Sequence, residues 1–172
     1  MNKKKHLCAL FDLDGVIVDT AKYHFLAWKK IAKNIGYDLT HEDNEQLKGV
    51  SRQDSLNIIL DLANVTIDLE VFNHFLIQKN DDYLLLIQSI SPNDILPGIF
   101  EALTFLKDRE IEIGLGSASK NAKIILQKLQ LMDYFEVIID GNIVIKGKPD
   151  PEVFLKGSAA LNVPNDRCIV FE

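Results

Sequence analysis

The sequence predicts an α/β fold, a Rossmann-like parallel sheet core with an all-helical cap domain inserted into it. Three observations predict this. Short apolar runs alternate with helical patterns, one long middle stretch carries helical patterns only, and reactive side chains fall at the ends of the apolar runs.

The first run, Leu7 to Leu13, reads as a buried strand. The stretch from Ala21 to Ser91 carries helix patterns and no convincing strand. Tyr23, Leu26, Ala27, Ile31 and Ile35 recur at helical spacing, and Gly36 suits the stop. Ser51 to Ala63 opens with a cap, since an acid, Asp54, lies three residues on. Leu69 to Ile90 is a further long periodic run, and Ser91-Pro92-Asn93-Asp94 reads as a turn returning the chain to the core. Helices are then expected at Ile99 to Arg109, Asn121 to Leu131 and Pro151 to Leu161. Strands are expected at Ile111 to Gly116, Glu136 to Ile139 and Cys168 to Phe171. Such alternation argues for a parallel sheet covered on both faces. The core then comprises residues 1–20 and 92–172, and the cap 21–91.

Composition narrows the function classes. Hydrophobic residues make up 47% of the 172, enough for a real core. Acids outnumber bases 25 to 19, so net charge gives no reason to bind nucleic acid. No apolar stretch approaches the ~20 residues that span a bilayer. The start, Met1-Asn2-Lys3-Lys4-Lys5, is followed by an apolar run that Asp12 interrupts too early for a signal peptide, so a cytoplasmic protein is expected. Cys8 and Cys168 sit in apolar runs and read as buried free thiols.

In a parallel α/β sheet, ligands bind beyond the carboxyl ends of the strands. Asp12 and Asp14 end the first strand, Ser117 follows the second, Lys148 lies in the connection after the third, and Glu172 follows the fourth. Taken singly, each is ordinary: an acid in a turn, a serine capping a helix, a solvated lysine, a surface glutamate. Asp12 and Asp14 resist that reading best, because paired acids around Leu13 in an apolar run are costly without compensation. Strand alternation points both the same way, where they repel unless a cation or proton intervenes. Hard oxygen ligands suit Mg²⁺. Asp12 could attack a phosphoryl group, with Asp14 as acid and base. Ser117 and Ser119 precede a helix whose N–H groups make a phosphate seat. Lys148, held before Pro149, is a point charge for phosphate.

Phe11-Asp12-Leu13-Asp14-Gly15-Val16-Ile17-Val18-Asp19-Thr20 resembles the first motif of the haloacid dehalogenase superfamily, and Ser117, Lys148 and Glu172 match its second, third and fourth motifs in order. The segment Glu45 to Leu56, with Thr20 to His24 and Gly116 to Asn121, is similar to the β-phosphoglucomutase branch. That resemblance implies that Asp12 carries the phosphoryl group and Asp14 is the acid–base. It implies Mg²⁺ held by Asp12, the Asp14 backbone carbonyl and Glu172, and phosphate held by Ser117, Ala118 and Lys148. Arg52, with Ser119 and Asn121, would bind a second phosphate. Lys48, Gly49, Ser55 and Lys79 would line the sugar side, and Thr20 and His24 would link the cap hinge to the acid–base. By themselves, His24 and Trp28 read as packing within the cap, Lys79 as a solvated helix lysine and Arg52 as a solvated first-turn residue.

The implied substrate is a small phosphosugar, turned over by a monomer with no nucleic-acid or membrane partner. The family pattern continues past Glu172 with a further acid, helix and strand. The core is therefore expected to be truncated at its C-terminal end, less stable, prone to associate and impaired in turnover. Two other functions compete: a sugar-phosphate phosphatase of the same superfamily, and a phosphosugar-binding or interaction module without catalysis. For these 172 residues alone, binding without turnover is the leading expectation.

Overall fold

A computed structural model describes residues 7–172. The basic stretch at residues 1–5, on which the cytoplasmic reading leaned, lies outside the described residues. Two compact units form: one takes in the chain up to Asp19 and from Ile90 to Glu172, the other Thr20–Ser89.

The first unit is built on four parallel strands, β1 (Cys8–Phe11), β2 (Glu112–Gly116), β3 (Val137–Ile139) and β4 (Cys168–Phe171), in the order β3-β2-β1-β4. All pairs are parallel and in a common register: Phe11 lies opposite Leu115 on one side and Phe171 on the other. The direction of strand addition reverses at β1, so the crevice of a doubly wound sheet opens at the carboxyl ends of β1 and β4. Helix α7 (Glu152–Ala160) packs on the sheet, where Cys8, Leu10, Leu161 and Val163 form a buried cluster with Phe154 and Val137 against it. Helices α5 (Ile99–Asp108) and α6 (Ala122–Lys128) complete the unit.

The first strand is shorter than its apolar run. The strand ends at Phe11, and two residues on the Leu13 carbonyl accepts the N–H groups of Val16, Ile17 and Val18 at 3.4, 2.9 and 3.2 Å, closing a turn. The strand-alternation argument for Asp12 and Asp14 pointing the same way therefore fails, since Asp14 belongs to a turn. The cysteine reading needs one correction: both thiols are free, but only Cys8 is buried, Cys168 being half-exposed. Their sulfurs lie 2.7 Å apart on neighbouring strands, and burial first, then the Cys168 contact, pushes the Cys8 thiol up to about 12.

The second unit is all helical: α1 (Ala21–Asn34), α2 (His41–Glu45), α3 (Arg52–Ala63) and α4 (Leu69–Leu86). Phe25, Trp28, Ile31, Leu39, Leu56, Ile59, Leu60 and Phe75 form its buried core. Gly36 ends α1 at φ +79°, where the Tyr37 N–H reaches the Ala32 carbonyl at 3.0 Å and the Gly36 N–H that of Lys33 at 3.1 Å. Ser51 caps α3, its Oγ accepting the Asp54 N–H at 3.2 Å. Helix α2 went unread: it is one capped turn, Thr40 Oγ1 accepting the Asp43 N–H at 3.1 Å, too short to show a period. No helix among the described residues is long and apolar enough to cross a membrane.

Candidate active site

Three of the five strand-end residues meet directly. The register puts Asp12 and Glu172 one position beyond the paired, stacked rings of Phe11 and Phe171 (centroids 4.5 Å apart), and the Asp12 N–H bonds the Phe171 carbonyl at 2.9 Å. Lys148 Nζ lies between the two carboxylates, 2.8 Å from Asp12 Oδ2 and 3.0 Å from Glu172 Oε1. The Asp12 and Lys148 side chains are only 15% and 11% exposed, whereas Glu172 is 54% exposed. The first pair is therefore desolvated, and the second is screened by water. Burial lifts the Asp12 carboxyl above its ordinary value, and the Lys148 contact opposes that rise without cancelling it.

Ser117, buried, follows β2 at the same edge, its N–H bonded to the Ile139 carbonyl at 2.9 Å. Its hydroxyl accepts the Ser119 N–H at 3.1 Å, and Ser119 Oγ accepts the Asn121 N–H at 3.2 Å. These two bonds hold the loop in shape. Ala118 lies between Ser117 and Ser119, and its carbonyl oxygen packs against Gly141, where any Cβ would overlap it. Gly141→Ala should therefore displace the Ser117 loop, lowering stability by about 1–3 kcal/mol and activity more than stability. Thermal unfolding beside initial rates would check this; an unchanged rate would contradict it.

Asp14 is half-buried in its turn, bridged to Val18. Among the described residues, no three His, Cys, Asp or Glu side chains cluster tightly enough to hold a metal ion. Side chains here supply two converging carboxylates, Asp12 and Glu172. A hard divalent ion that keeps water, backbone and phosphate oxygens among its ligands suits that sparse set. The Lys148 ammonium between them shows that both accept a cation.

The residues expected on the helical unit fall into two groups. His24, Arg52 and Lys79 form a basic cluster. Lys79 Nζ lies 2.9 Å from His24 Nδ1 and 4.9 and 4.8 Å from the ring centroids of Trp28 and Tyr83. Arg52 donates to Asn80 Oδ1 at 2.8 Å, so it is no free first-turn residue. Lys79, 3% exposed, is not the solvated lysine its helix position suggested. A helical pattern cannot reveal an aromatic cage whose walls come from two helices. Trp28, 2% exposed, is ordinary core. Thr20 is buried, and its carbonyl accepts the Tyr23 and His24 N–H groups at 2.9 and 3.2 Å. Lys48 pairs with Glu45 at 2.8 Å on the surface, Gly49 turns at φ +74°, and buried Ser55 bonds back to the Ser51 carbonyl at 3.0 Å.

Burial, then Lys79 and Arg52, hold the His24 imidazole well below its ordinary value. The folded state thus refuses a proton that the unfolded chain accepts, and stability contributed by neutral His24 is lost as pH falls below 6.5. His24→Gln should flatten the fall of melting temperature between about pH 7 and pH 5. Parallel slopes for the two proteins would contradict this.

Sequence reasoning missed Phe154, whose ring lies 4.9 Å below Lys148 Nζ, and Asn80, Tyr83, Gly141 and Glu152. Only Glu152 carried a local signal, as an acid in the first turn of an expected helix.

The haloacid dehalogenase-like hydrolase family model matches residues 7–172. The chain is 46% identical over 168 residues to β-phosphoglucomutase of Bacillus subtilis, covering 95% of this chain and 73% of that one. It is 30% identical over 165 residues to a phosphorylated carbohydrates phosphatase of Thermotoga maritima, covering 95% and 74%. The crystal structure of β-phosphoglucomutase from Clostridium difficile superposes with a TM-score of 0.94 at 44% identity, covering 97% of this chain and 76% of that one.

Proposed function

The chain belongs to the haloacid dehalogenase-like hydrolase family, and from that membership we propose that it interconverts β-D-glucose 1-phosphate and glucose 6-phosphate. The reaction runs through an aspartyl phosphate and a glucose 1,6-bisphosphate intermediate. The observation that carries this reading is the meeting of Asp12, Lys148 and Glu172 at the reversal point of the sheet, in a chain with 46% identity to a β-phosphoglucomutase.

An Asp12 oxygen attacks phosphorus as the bond to the sugar oxygen breaks, and Asp14 protonates that leaving oxygen. That step acts on the 1-phosphate of the bisphosphate, which forms when the phosphoryl group on Asp12 passes to the 6-hydroxyl oxygen of glucose 1-phosphate as Asp14 takes the hydroxyl proton. Lys148 and Ser117 offset charge on the phosphoryl oxygens, with Ala118 in the loop that holds them. The family implies a divalent ion, here Mg²⁺, held by Asp12, the Asp14 carbonyl and Glu172; when bound it neutralises phosphate charge. On the helical unit, Arg52 suits a second phosphate because a guanidinium forks two phosphate oxygens; on the core, Ser119 and Asn121 are phosphate-binding residues. Lys48, Gly49, Ser55 and Lys79 belong to the sugar side, and Thr20 and His24 to the hinge. The protein would work as a cytoplasmic monomer on a small phosphosugar.

The phosphatase reading is the one to separate, because phosphatases stand among the relatives. With Mg²⁺ and a trace of glucose 1,6-bisphosphate, β-glucose 1-phosphate should yield glucose 6-phosphate. Inorganic phosphate as the main product would replace the mutase reading with hydrolysis.

A further inference from the structure

Lys148 sits in a connection from Asp140 to Pro151 that contains no helix or strand, and its peptide bond to Pro149 is cis. Exposed loops usually leave their backbone groups to water. Here they are gripped by one face of α7. The Glu152 carboxylate accepts the Ile145 N–H at 3.2 Å through either oxygen and the Lys146 N–H at 2.6 Å. One turn on, Lys156 Nζ donates to the Ile143 carbonyl at 2.8 Å and pairs with Glu152 Oε1 at 2.6 Å. An acid and a base four residues apart thus hold opposite polarities of the same strip of backbone.

The far side of Lys148 returns to the same place. The Asp150 N–H closes a turn onto the Gly147 carbonyl at 3.1 Å, and Asp150 Oδ1 accepts the Glu152 N–H at 3.0 Å. The Lys148 ammonium lies over Phe154, also on α7. Glu152 therefore touches the chain on both sides of Lys148.

We infer that Glu152, backed by Lys156, is the positioning residue that fixes the Lys148 loop and thereby sets where its ammonium meets the transferring phosphoryl group. The inference rests on the proposed role of Lys148 in that transfer. The alternative is an ordinary first-turn acid with an i,i+4 lysine, which would steady the helix and leave the reaction alone. Three donors on one carboxylate exceed what a helix-surface pair provides. They drive the Glu152 carboxyl down to about 2, the Lys156 contact contributing most, so it stays ionised at any working pH.

The test is a cycle of Glu152→Ala and Lys148→Met, with Glu152→Gln and Lys156→Met alongside. Glu152→Ala should lower kcat about 10- to 100-fold, because displacing a positioned group by an ångström costs that much. KM should change far less, and Glu152→Gln, which keeps an acceptor, should fall between. In the Lys148→Met background, Glu152→Ala should cost less than about twofold more. The same factor in both backgrounds, or an unchanged kcat in the first, would overturn the inference. A second readout needs no turnover: the Lys148 side-chain carbon signal, assigned by its loss in Lys148→Met, should move or broaden in Glu152→Ala. An unmoved signal also overturns the inference. Wild-type protein that makes no glucose 6-phosphate would count against the mutase reading, while the signal would still decide the positioning.

Discussion

Asp12→Asn should abolish the phosphoenzyme and lower turnover by about 10⁴-fold or more, while leaving the fold as stable as before or more so. Loss of activity follows from chemistry, since an amide oxygen is too poor a nucleophile to take a phosphoryl group. The stability follows from the energetics of the pair. The Asp12 side chain is 15% exposed, and burial raises its carboxyl more than Lys148 lowers it. A group whose folded value is raised favours the fold while protonated, below its unfolded value. It loses that contribution as pH rises through the folded value. At neutral pH the ionised Asp12 is thus a burden that a neutral amide relieves. Lys148 keeps Glu172 as a partner in the variant. An unfolding curve shifted clearly down would contradict this balance, and turnover near wild type would remove Asp12 from the reaction.

Lys148→Met should be costly in both respects. The substitution keeps a side chain of similar length and removes the charge that lies over Phe154 and between two carboxylates. Asp12 then remains buried with its cation gone and Glu172 opposing its ionisation, and losing one partner of a buried pair costs about 3 kcal/mol. The exposure of Glu172 moderates the repulsion, because water screens it. Turnover should fall about 100-fold or more, as phosphoryl transfer depends on preorganised positive charge. The acid limb of the pH–rate profile should also move upward, since Lys148 is the largest influence lowering the Asp12 carboxyl. A limb that moves down would reverse the assigned sign.

Asp12 was legible in the sequence for the same reason that the sheet was. A parallel strand buried on both faces is a continuous apolar run, so a polar residue at its end stands out. Asp12, Ser117 and Glu172 each directly follow such a run, and the strand order brings their ends to one edge, whereas Lys148 lies nine residues past β3 and stood out only by preceding Pro149 in the connection after that strand. Asp14 was read less well. The turn closed by Leu13 depends on hydrogen bonds from three later residues, which leave no periodic trace. The supports of the site were nearly silent. Phe154 and Glu152 sit on a helix whose apolar period explains both as packing and capping. Gly141 matters only because the Ala118 carbonyl arrives from another loop. Lys79 looked like a surface lysine until Trp28 and Tyr83, on two helices, closed around it. Tertiary neighbours, which a single sequence does not display, decide these cases.

The most direct measurement is mass spectrometry of peptides from protein incubated with Mg²⁺ and glucose 1,6-bisphosphate, quenched in acid. The account predicts one phosphoryl group on the peptide spanning Phe11 to Gly15, located on Asp12 and absent from Asp12→Asn. A phosphoryl group on another residue, or formation of glucose 6-phosphate with Asp12 never modified, would contradict it.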